Sequence, residues 1–246
     1  MNIFLTNDDG IKAEGLLSLC RVLSAEHDIF VIAPDRERSG CSNAITVRSN
    51  MQLTRTGDNM YSLDGYPSDC VNVALHSTLF PEIDLVVSGI NHGPNLGTDM
   101  IFSGTVGAAR TAAVFGRPAI ALSLDCYHSV SDYLDEASQF LLGFIREQNT
   151  EPPFIVNINY PDIPRENIRG VRYTRSGLRF YNDTCVMEQV NENEMLVSVH
   201  GNIENRELEG SDVTELENGY ISITPLSLDC TDFDMLKKKG SRVPGI

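Results

Sequence analysis

Asn2-Ile-Phe-Leu-Thr-Asn-Asp-Asp-Gly10 is the stretch of sequence that decides the fold. Its apolar first half is short and ends abruptly at polar and acidic residues, a pattern typical of a buried strand that stops at a loop. Leucines and a cysteine then recur at helical spacing between residues 16 and 23, and a second apolar run at 29–33 ends at Pro34. The segment therefore predicts a βαβ unit.

The same alternation continues along the first two thirds of the chain. Strands that are apolar almost throughout and separated by helices are typical of a parallel sheet that helices cover on both faces. We therefore predict an α/β fold with a doubly wound, mostly parallel sheet in residues 1–170. Further helices are predicted near residues 68–79, 104–115 and 133–144, and further strands at 85–88, 119–124 and 154–158.

Two stretches interrupt this alternation. Residues 44–64 contain short apolar runs between polar turns, which predicts small antiparallel strands inserted into the core. In residues 171–246, apolar runs at 186–190 and 195–200 flank a polar turn, as in a β-hairpin, and a short helix and a strand are predicted after it. This second region is too small to bury its apolar face alone. We therefore expect it to pack on the core or on another subunit of a homo-oligomer.

The composition excludes several classes of partner. The chain carries 19 Lys and Arg against 34 Asp and Glu, a formal net charge of -15. Such a surface repels nucleic-acid backbones, so stable nucleic-acid binding is not expected. A small phosphate substrate would need positive charge supplied locally by a metal, by backbone amides or by arginines such as Arg36, Arg38 and Arg110.

Cysteine usage and hydropathy predict the compartment. The six cysteines are scattered without a C-x-x-C pair, which indicates free thiols in a reducing environment. Apolar runs of roughly 18 residues, the length that crosses a membrane, are absent from the sequence, as is a basic leader. We therefore expect a cytoplasmic protein that does not bind membranes.

The adjacent carboxylates of Asp8 and Asp9 follow the first predicted strand. Two neighbouring carboxylates repel each other and require a cation or the positive end of a helix nearby. A single Asp at this position could be a helix cap. The pair favours a hard divalent cation, Mg²⁺ or Mn²⁺, because carboxylate oxygens suit such ions.

Three more loops are expected at the same edge of the sheet, where ligands bind in open α/β folds. Residues 34–43 combine two arginines with hydroxyl and amide groups, although a solvated turn would look similar. Residues 88–99 contain three glycines and two asparagines but neither a P-loop lysine nor a dinucleotide-binding pattern. Residues 103–109 begin a helix whose first amides could bind an anion, or whose serine is only a cap. Together the loops predict a metal and phosphate site, hence a phosphomonoester hydrolase.

The sequence resembles the stationary-phase survival protein (SurE) family of metal-dependent 5'-nucleotidases. The resemblance covers nearly the whole chain and implies a Rossmann-like core with a carboxyl-terminal region used in subunit exchange, as a homodimer or homotetramer. The motifs that carry it are Asn7-Asp8-Asp9-Gly10, Ala33-Pro34-Asp35-Arg36, Ser39-Gly40, Gly65-Tyr66-Pro67-Ser68-Asp69-Cys70, Ser88-Gly89-Ile90-Asn91, Asn95-Leu96-Gly97, Ser103-Gly104-Thr105-Val106, Asn218-Gly219-Tyr220 and Thr224-Pro225-Leu226.

Residue by residue, the resemblance implies a site for one divalent cation and a phosphate. It further implies a nucleoside 5'-monophosphate as substrate, cleaved to nucleoside and phosphate by attack of a metal-activated water. The metal ligands would be Asp8, Asp9, Ser39 and Asn95, and the groups around the phosphate would be Asn91, Ser103, Gly104 and Thr105.

The chain departs from the family pattern at two places. Arg110-Thr111 stands where the family usually has an acidic residue followed by glycine, and Tyr66 stands where a smaller residue is favoured before Pro67. The first departure changes the charge of the helix that follows the phosphate loop. It therefore bears on substrate preference or on a subunit contact.

Several alternatives remain open from the residues alone. A phosphoryl-accepting receiver module shares the acidic pair but needs a lysine late in the sheet, and no lysine lies between Lys12 and Lys237. A phosphatase with Asp8 as nucleophile and a non-catalytic nucleotide sensor share the site but not the chemistry. The general base is not decided between Asp8 and Asp9, and His92 is either an acid for the leaving oxygen or a solvated loop residue.

Overall fold

A computed structural model describes residues 1–127, 131–148 and 154–240 of the chain. Its main element is a sheet of nine strands, which six α-helices and further short strands accompany. The strands are β1 Asn2–Thr6, β2 Asp28–Pro34, β3 Leu53–Gly57, β4 Met60–Leu63, β5 Leu85–His92, β6 Ala119–Leu124, β7 Ile155–Tyr160, β8 Val171–Tyr173, β9 Leu178–Tyr181, β10 Thr184–Asn191, β11 Glu194–His200, β12 Ile203–Arg206 and β13 Ile221–Pro225. The helices are α1 Glu14–Leu23, α2 Pro67–His76, α3 Gly104–Val114, α4 Leu134–Glu147, α5 Asp212–Glu217 and α6 Phe233–Lys239.

The central strands run in the order β2-β1-β5-β6-β7 and are parallel. On one face of the sheet, Leu16 and Leu19 of α1 share a buried cluster with Leu141 of α4. On the other face, Val71 of α2 shares a cluster with Ala108 of α3. Helices on both faces explain why these strands are apolar along their whole length. The predicted α/β fold with a doubly wound, mostly parallel sheet is confirmed.

The inserted segment differs from the prediction in detail. β3 and β4 form an antiparallel pair, but β4 also extends the main sheet by pairing in parallel with β2. Residues 45–47 are not a strand. Instead, the Asp69 carboxylate accepts hydrogen bonds of 2.8 Å from both the backbone N–H and the hydroxyl of Thr46. This contact with α2 replaces the strand pairing that the local apolar pattern predicts.

The region after residue 170 contributes to the main sheet as well as to the surface. β13 pairs antiparallel with β7 and parallel with β8, so it lies between them. β10 and β11 form the predicted antiparallel hairpin, and β12 pairs antiparallel with β9. Every residue of the β10–β11 hairpin is exposed. Within the described ranges, none of the helices combines the length and hydropathy needed to cross a bilayer.

Candidate metal and phosphate site

The loop after β1 holds the acidic pair in a fixed conformation. The Asn7 side chain both accepts from the Gly10 amide and donates to the Gly10 carbonyl, each at 3.1 Å. Gly10 itself has a φ of 103°, a conformation that side chains disfavour. Asp8 lies between these anchors and is only 4% exposed. The tight loop therefore turns the first carboxylate inward at the end of the strand.

Asp8 is the point at which three of the predicted loops meet. Its Oδ1 atom accepts a hydrogen bond from the Thr105 hydroxyl, which also lies 3.1 Å from Oδ1 of Asn91. Its backbone carbonyl accepts from the Arg38 amide at 2.7 Å. The structure thus brings together the loops after β1, β2 and β5 and the start of α3, as the sheet-edge argument predicts.

Burial makes the acidic pair costly to ionise. It raises the pKa of Asp8, although the Thr105 hydroxyl and the backbone amides of Thr105 and Gly104 counteract the increase. Burial and the neighbouring Asp8 raise the pKa of Asp9 to about 7. The Asp9 Oδ2 atom accepts from the His92 amide at 3.2 Å. A buried and a half-buried carboxylate that are adjacent and have raised pKa values are stabilised in their ionised form by a cation.

Asn95 is held rigidly and lines the same cavity as Asp8, whereas Asp9 lines a second cavity that shares Asn91 and His92 with the first. The Asn95 Nδ2 donates to the Ser123 hydroxyl at 2.8 Å, and its backbone N–H donates to Asn159 Oδ1 at 2.8 Å. Its backbone carbonyl accepts from Asn157 at 2.7 Å and from Asn159 at 3.1 Å. The amide nitrogen Nδ2 is a donor and is used by Ser123, so the carbonyl oxygen Oδ1 is the side-chain atom that could bind a cation.

Asn157 and Asn159 were not singled out by the sequence reasoning. Their signal is a polar residue at every second position of an otherwise apolar strand, which places both amides on one side of β7. They position Asn95 and thereby the loop that follows β5.

Ser39 is less firmly positioned than the other predicted ligands. It is exposed, and its hydroxyl donates to Glu37 Oε1 at 2.8 Å. It nevertheless lines the same cavity, of about 490 Å³, as Asp8, Asn91, Asn95 and Ser103. Ser39 would have to break its bond to Glu37 and rotate to bind a cation in this cavity.

The donor set fits a hard divalent cation. Within the described part of the chain, no three His, Cys, Asp or Glu side chains form a metal cluster. The candidate ligands are instead two carboxylates, a hydroxyl and an amide oxygen, from Asp8, Asp9, Ser39 and Asn95. Such an all-oxygen set suits Mg²⁺ or Mn²⁺ and disfavours softer metals.

The start of α3 lies against the Asp8 carboxylate and could also bind a phosphate. Ser103 caps the helix, because its hydroxyl accepts from the Val106 amide at 3.1 Å. The amides of Gly104 and Thr105 lie close enough to the Asp8 carboxylate to lower its pKa. A phosphate at this helix terminus would therefore lie beside Asp8, and a cation between the two anions would relieve their repulsion.

The three arginines considered as partners for a phosphate are placed differently. Arg38 pairs with Asp64 at 3.1 Å and lies over the ring of Tyr66, 5.3 Å from its centroid. Arg36 pairs with Asp35 at 3.2 Å. Arg110 is half-buried near the middle of α3. Tyr66, one of the departures from the family pattern, thus packs against an arginine of the β2 loop.

The same cavity is also lined by Asp99, which ends the predicted 88–99 loop, and by four residues that the sequence did not indicate, namely Phe102, Tyr127, Tyr181 and Asp183. Tyr181 and Asp183 come from the region after residue 170. They reach the cavity because β9 packs on the loop that follows β5, where the Arg179 amide donates to the Thr98 hydroxyl at 3.2 Å. No local pattern in the sequence predicts this contact.

Comparison with known proteins identifies the family. The model of the family described as Survival protein SurE matches residues 3–183. The chain belongs to the SurE family. Its resemblance to that family, recognised from the motifs, is thereby confirmed.

Relatives within the SurE family match over almost their entire length. The 5'-nucleotidase SurE of Leptospira interrogans is 41% identical over 239 residues, which cover 96% of this chain and 95% of the relative. The 5'-nucleotidase SurE of Geotalea daltonii is 40% identical over 241 residues, with 96% of each chain covered. The crystal structure of the SurE protein from Aquifex aeolicus superposes with a TM-score of 0.83 at 31% identity, covering 97% of this chain and 98% of that one.

Proposed function

We propose that this chain is a metal-dependent 5'-nucleotidase that hydrolyses nucleoside 5'-monophosphates to nucleoside and phosphate. The observation that carries the proposal is the buried Asp8 carboxylate, which lies against the first turn of α3 in a cavity lined by amide and hydroxyl groups. The names of the SurE relatives support the same activity.

One divalent cation, Mg²⁺ or Mn²⁺, would be held by Asp8, Asp9, Ser39 and Asn95. The chemistry supplied by such a cation is polarisation of a phosphoryl oxygen and a lower pKa for the attacking water. The raised pKa values of the two aspartates support this assignment, since a cation would favour the ionised form of both carboxylates.

The chain itself positions and stabilises the phosphoryl group. The Ser103 hydroxyl and the Asn91 amide line the same cavity as Asp8, at the positive end of the α3 dipole. These fixed dipoles would bind the phosphoryl oxygens as negative charge moves between them and the leaving oxygen. Thr105 is fully buried and its hydroxyl donates to Asp8, so this residue would act by holding that carboxylate in place.

Direct attack by water is favoured over attack by Asp8. The Asp8 carboxylate is buried and accepts from the Thr105 hydroxyl, with the amides of Gly104 and Thr105 nearby. These contacts reduce its nucleophilicity and its freedom to approach phosphorus. A rapid-quench experiment with ³²P-labelled AMP should leave the protein unlabelled, whereas acid-stable label on Asp8 would establish the covalent route.

The proposal includes a homodimer or homotetramer in the cytoplasm, with region 171–246 in the subunit contact. One face of the β10–β11 hairpin is apolar, because the pairs Met187 with Val197 and Cys185 with Val199 lie side by side. All four side chains are exposed, which leaves this face without a covering surface within the described chain. The free state of all six cysteines agrees with a reducing compartment.

The test of the activity is hydrolysis of AMP after complete removal of metal. We expect no phosphate release in excess chelator and full recovery on addition of Mg²⁺ or Mn²⁺. Full activity in chelator would overturn the metal assignment. Binding of AMP without hydrolysis, in the presence of either ion, would instead support a nucleotide sensor.

A further inference from the structure

The cavity that contains Asp8 continues well beyond the space that a phosphate needs. Its volume of about 490 Å³ is in the range of small-molecule sites. It is lined by Asp8, Asn91, Asn95 and Ser103 together with Asp99, Phe102, Tyr127, Tyr181 and Asp183. A phosphate beside Asp8 would fill only part of this volume, so the rest of its ester would lie in the same cavity.

Three of the side chains that line this cavity are aromatic and exposed. Phe102 is 61% exposed, Tyr127 is 50% exposed and Tyr181 is 44% exposed. They come from separate segments, after the loop that follows β5, after β6 and at the end of β9. A single exposed aromatic residue needs no explanation, but three that converge on one cavity indicate a surface for an apolar or planar ligand.

A buried ion pair fixes the two tyrosines. The Arg179 guanidinium lies 3.3 Å from Asp99 Oδ2 and donates to the Tyr127 hydroxyl at 2.8 Å. The Tyr181 hydroxyl donates to the same Asp99 oxygen at 2.8 Å. Arg179 is only 6% exposed. Both rings are therefore oriented before a ligand arrives, which lowers the entropic cost of binding.

The hydroxyl groups of these tyrosines stay protonated at neutral pH. Burial raises the pKa of Tyr181 to about 12, and the hydrogen bond to Asp99 adds to the increase. Burial also raises the pKa of Tyr127. The hydrogen bond from the Tyr181 hydroxyl to Asp99 is therefore retained across the neutral pH range.

We propose that Phe102, Tyr127 and Tyr181 bind the base of the nucleotide, and that the Asp99–Arg179 pair is a positioning element for the two tyrosines. This inference rests on the proposed 5'-nucleotidase function and adds the residues that recognise the nucleoside. Phe102, Tyr127 and Tyr181 together form an aromatic wall of the cavity. Stacking requires only a π-face, so this aromatic wall would select substrates that carry a base over those that do not.

The test compares AMP with ribose 5-phosphate, which shares the sugar and phosphate but lacks the base. Phe102→Leu, Tyr127→Leu and Tyr181→Leu should each lower kcat/KM for AMP by about 5- to 150-fold, the equivalent of one base stacked on one ring. The loss should be mainly in KM, and the effect on ribose 5-phosphate should be much smaller. Tyr173→Leu is the matched control, since Tyr173 is 61% exposed but lines a different cavity.

Tyr181→Phe tests the aromatic ring separately from the hydrogen bond that positions it. It keeps the stacking surface and loses the bond to Asp99, so it should raise KM for AMP by less than Tyr181→Leu while kcat is retained. Inhibition by free adenosine provides a second readout, because it needs no turnover of ribose 5-phosphate. The inhibition constant should rise in the three leucine variants and not in Tyr173→Leu.

Two outcomes would overturn the inference. If the leucine variants remain folded and keep both the wild-type preference for AMP and the wild-type adenosine inhibition, the aromatic wall does not bind the base. A change in sedimentation with unchanged preference would assign these rings to a subunit contact instead. If the wild type hydrolyses neither substrate with Mg²⁺ or Mn²⁺, the 5'-nucleotidase proposal itself fails, and that result is distinct from the first two.

Discussion

The backbone of Gly104 lies directly against the side chain of Asp8. A Cβ atom at Gly104 would be 2.8 Å from Asp8 Oδ2 and 2.9 Å from Asp8 Cβ, distances that real Cβ atoms do not adopt. The start of α3 can therefore approach the carboxylate only because position 104 has no side chain. This close approach brings the helix amides to the site.

Gly104→Ala should therefore damage the site more than the helix. The added methyl must displace Asp8 or the Cys41 thiol, which would lie 2.6 Å away. We expect roughly a 100-fold loss of kcat/KM, the size that follows misplacement of a reacting group by about 1 Å. The control is Gly143→Ala in α4, where the new methyl meets nothing within 4 Å. That variant should keep activity and gain about 0.5–1 kcal/mol in unfolding free energy.

Asp8→Asn and Asp9→Asn test the metal assignment. If the two residues bind the cation, turnover should fall by more than the roughly 10- to 100-fold that follows loss of an outer-shell partner. The rise in melting temperature on addition of Mn²⁺ should also disappear. Asp58→Asn, at a fully exposed position, should behave like the wild type. Normal turnover together with a normal Mn²⁺ shift in both variants would show that Asp8 and Asp9 do not bind the cation.

The metal-free protein should lose stability as the pH rises toward neutrality. Burial, and next the charge of Asp8, raise the folded-state pKa of Asp9 from 3.8 to about 7. The protonated form is thus favoured in the folded state, so its contribution is complete below pH 3.8 and is lost as the pH approaches and passes 7. Chemical denaturation between pH 4 and 8 measures the slope, up to about 1.4 kcal/mol per pH unit for one proton. Asp9→Asn should reduce this slope, and an unchanged slope would contradict the raised pKa.

The hairpin offers a test of the subunit contact with two neighbouring residues. Val197 lies on the apolar face beside Met187, whereas Ser198 points to the opposite face beside Val186. Val197→Glu should reduce the mass measured by sedimentation velocity, because it places a charge in the contact. Ser198→Glu should change it less. A wild type that sediments as a monomer at micromolar concentration would argue against the assembly.

Periodicity was sufficient to predict the main elements, because each parallel strand is buried on both sides and each helix has one apolar face. It failed at residues 45–47, where the decisive contact is the bond between Thr46 and Asp69. It also could not place β13 between β7 and β8, since strand order depends on packing between distant segments. Local sequence contains no information about such pairing.

The residues proposed to bind the phosphate could be predicted from the sequence for a physical reason. Asp8, Asn91 and Thr105 follow strands or begin a helix, and the carboxyl ends of parallel strands meet at one edge. The residues around the aromatic side chains of the cavity could not be predicted in this way. Asp99 and Arg179 pair across a separation that only the tertiary structure closes, and Arg179 lies in no local pattern that indicates chemistry.

The position of β13 between β7 and β8 has a consequence for synthesis of the chain. Strands β1 to β7 are complete once residue 160 has been made, but β7 lacks its outer partner until residue 225 follows. At about 5–20 residues per second, the ribosome leaves that apolar edge unpaired for several seconds. An unpaired edge is a template for other strands. Chains released before residue 225 should therefore aggregate more readily than the full-length chain.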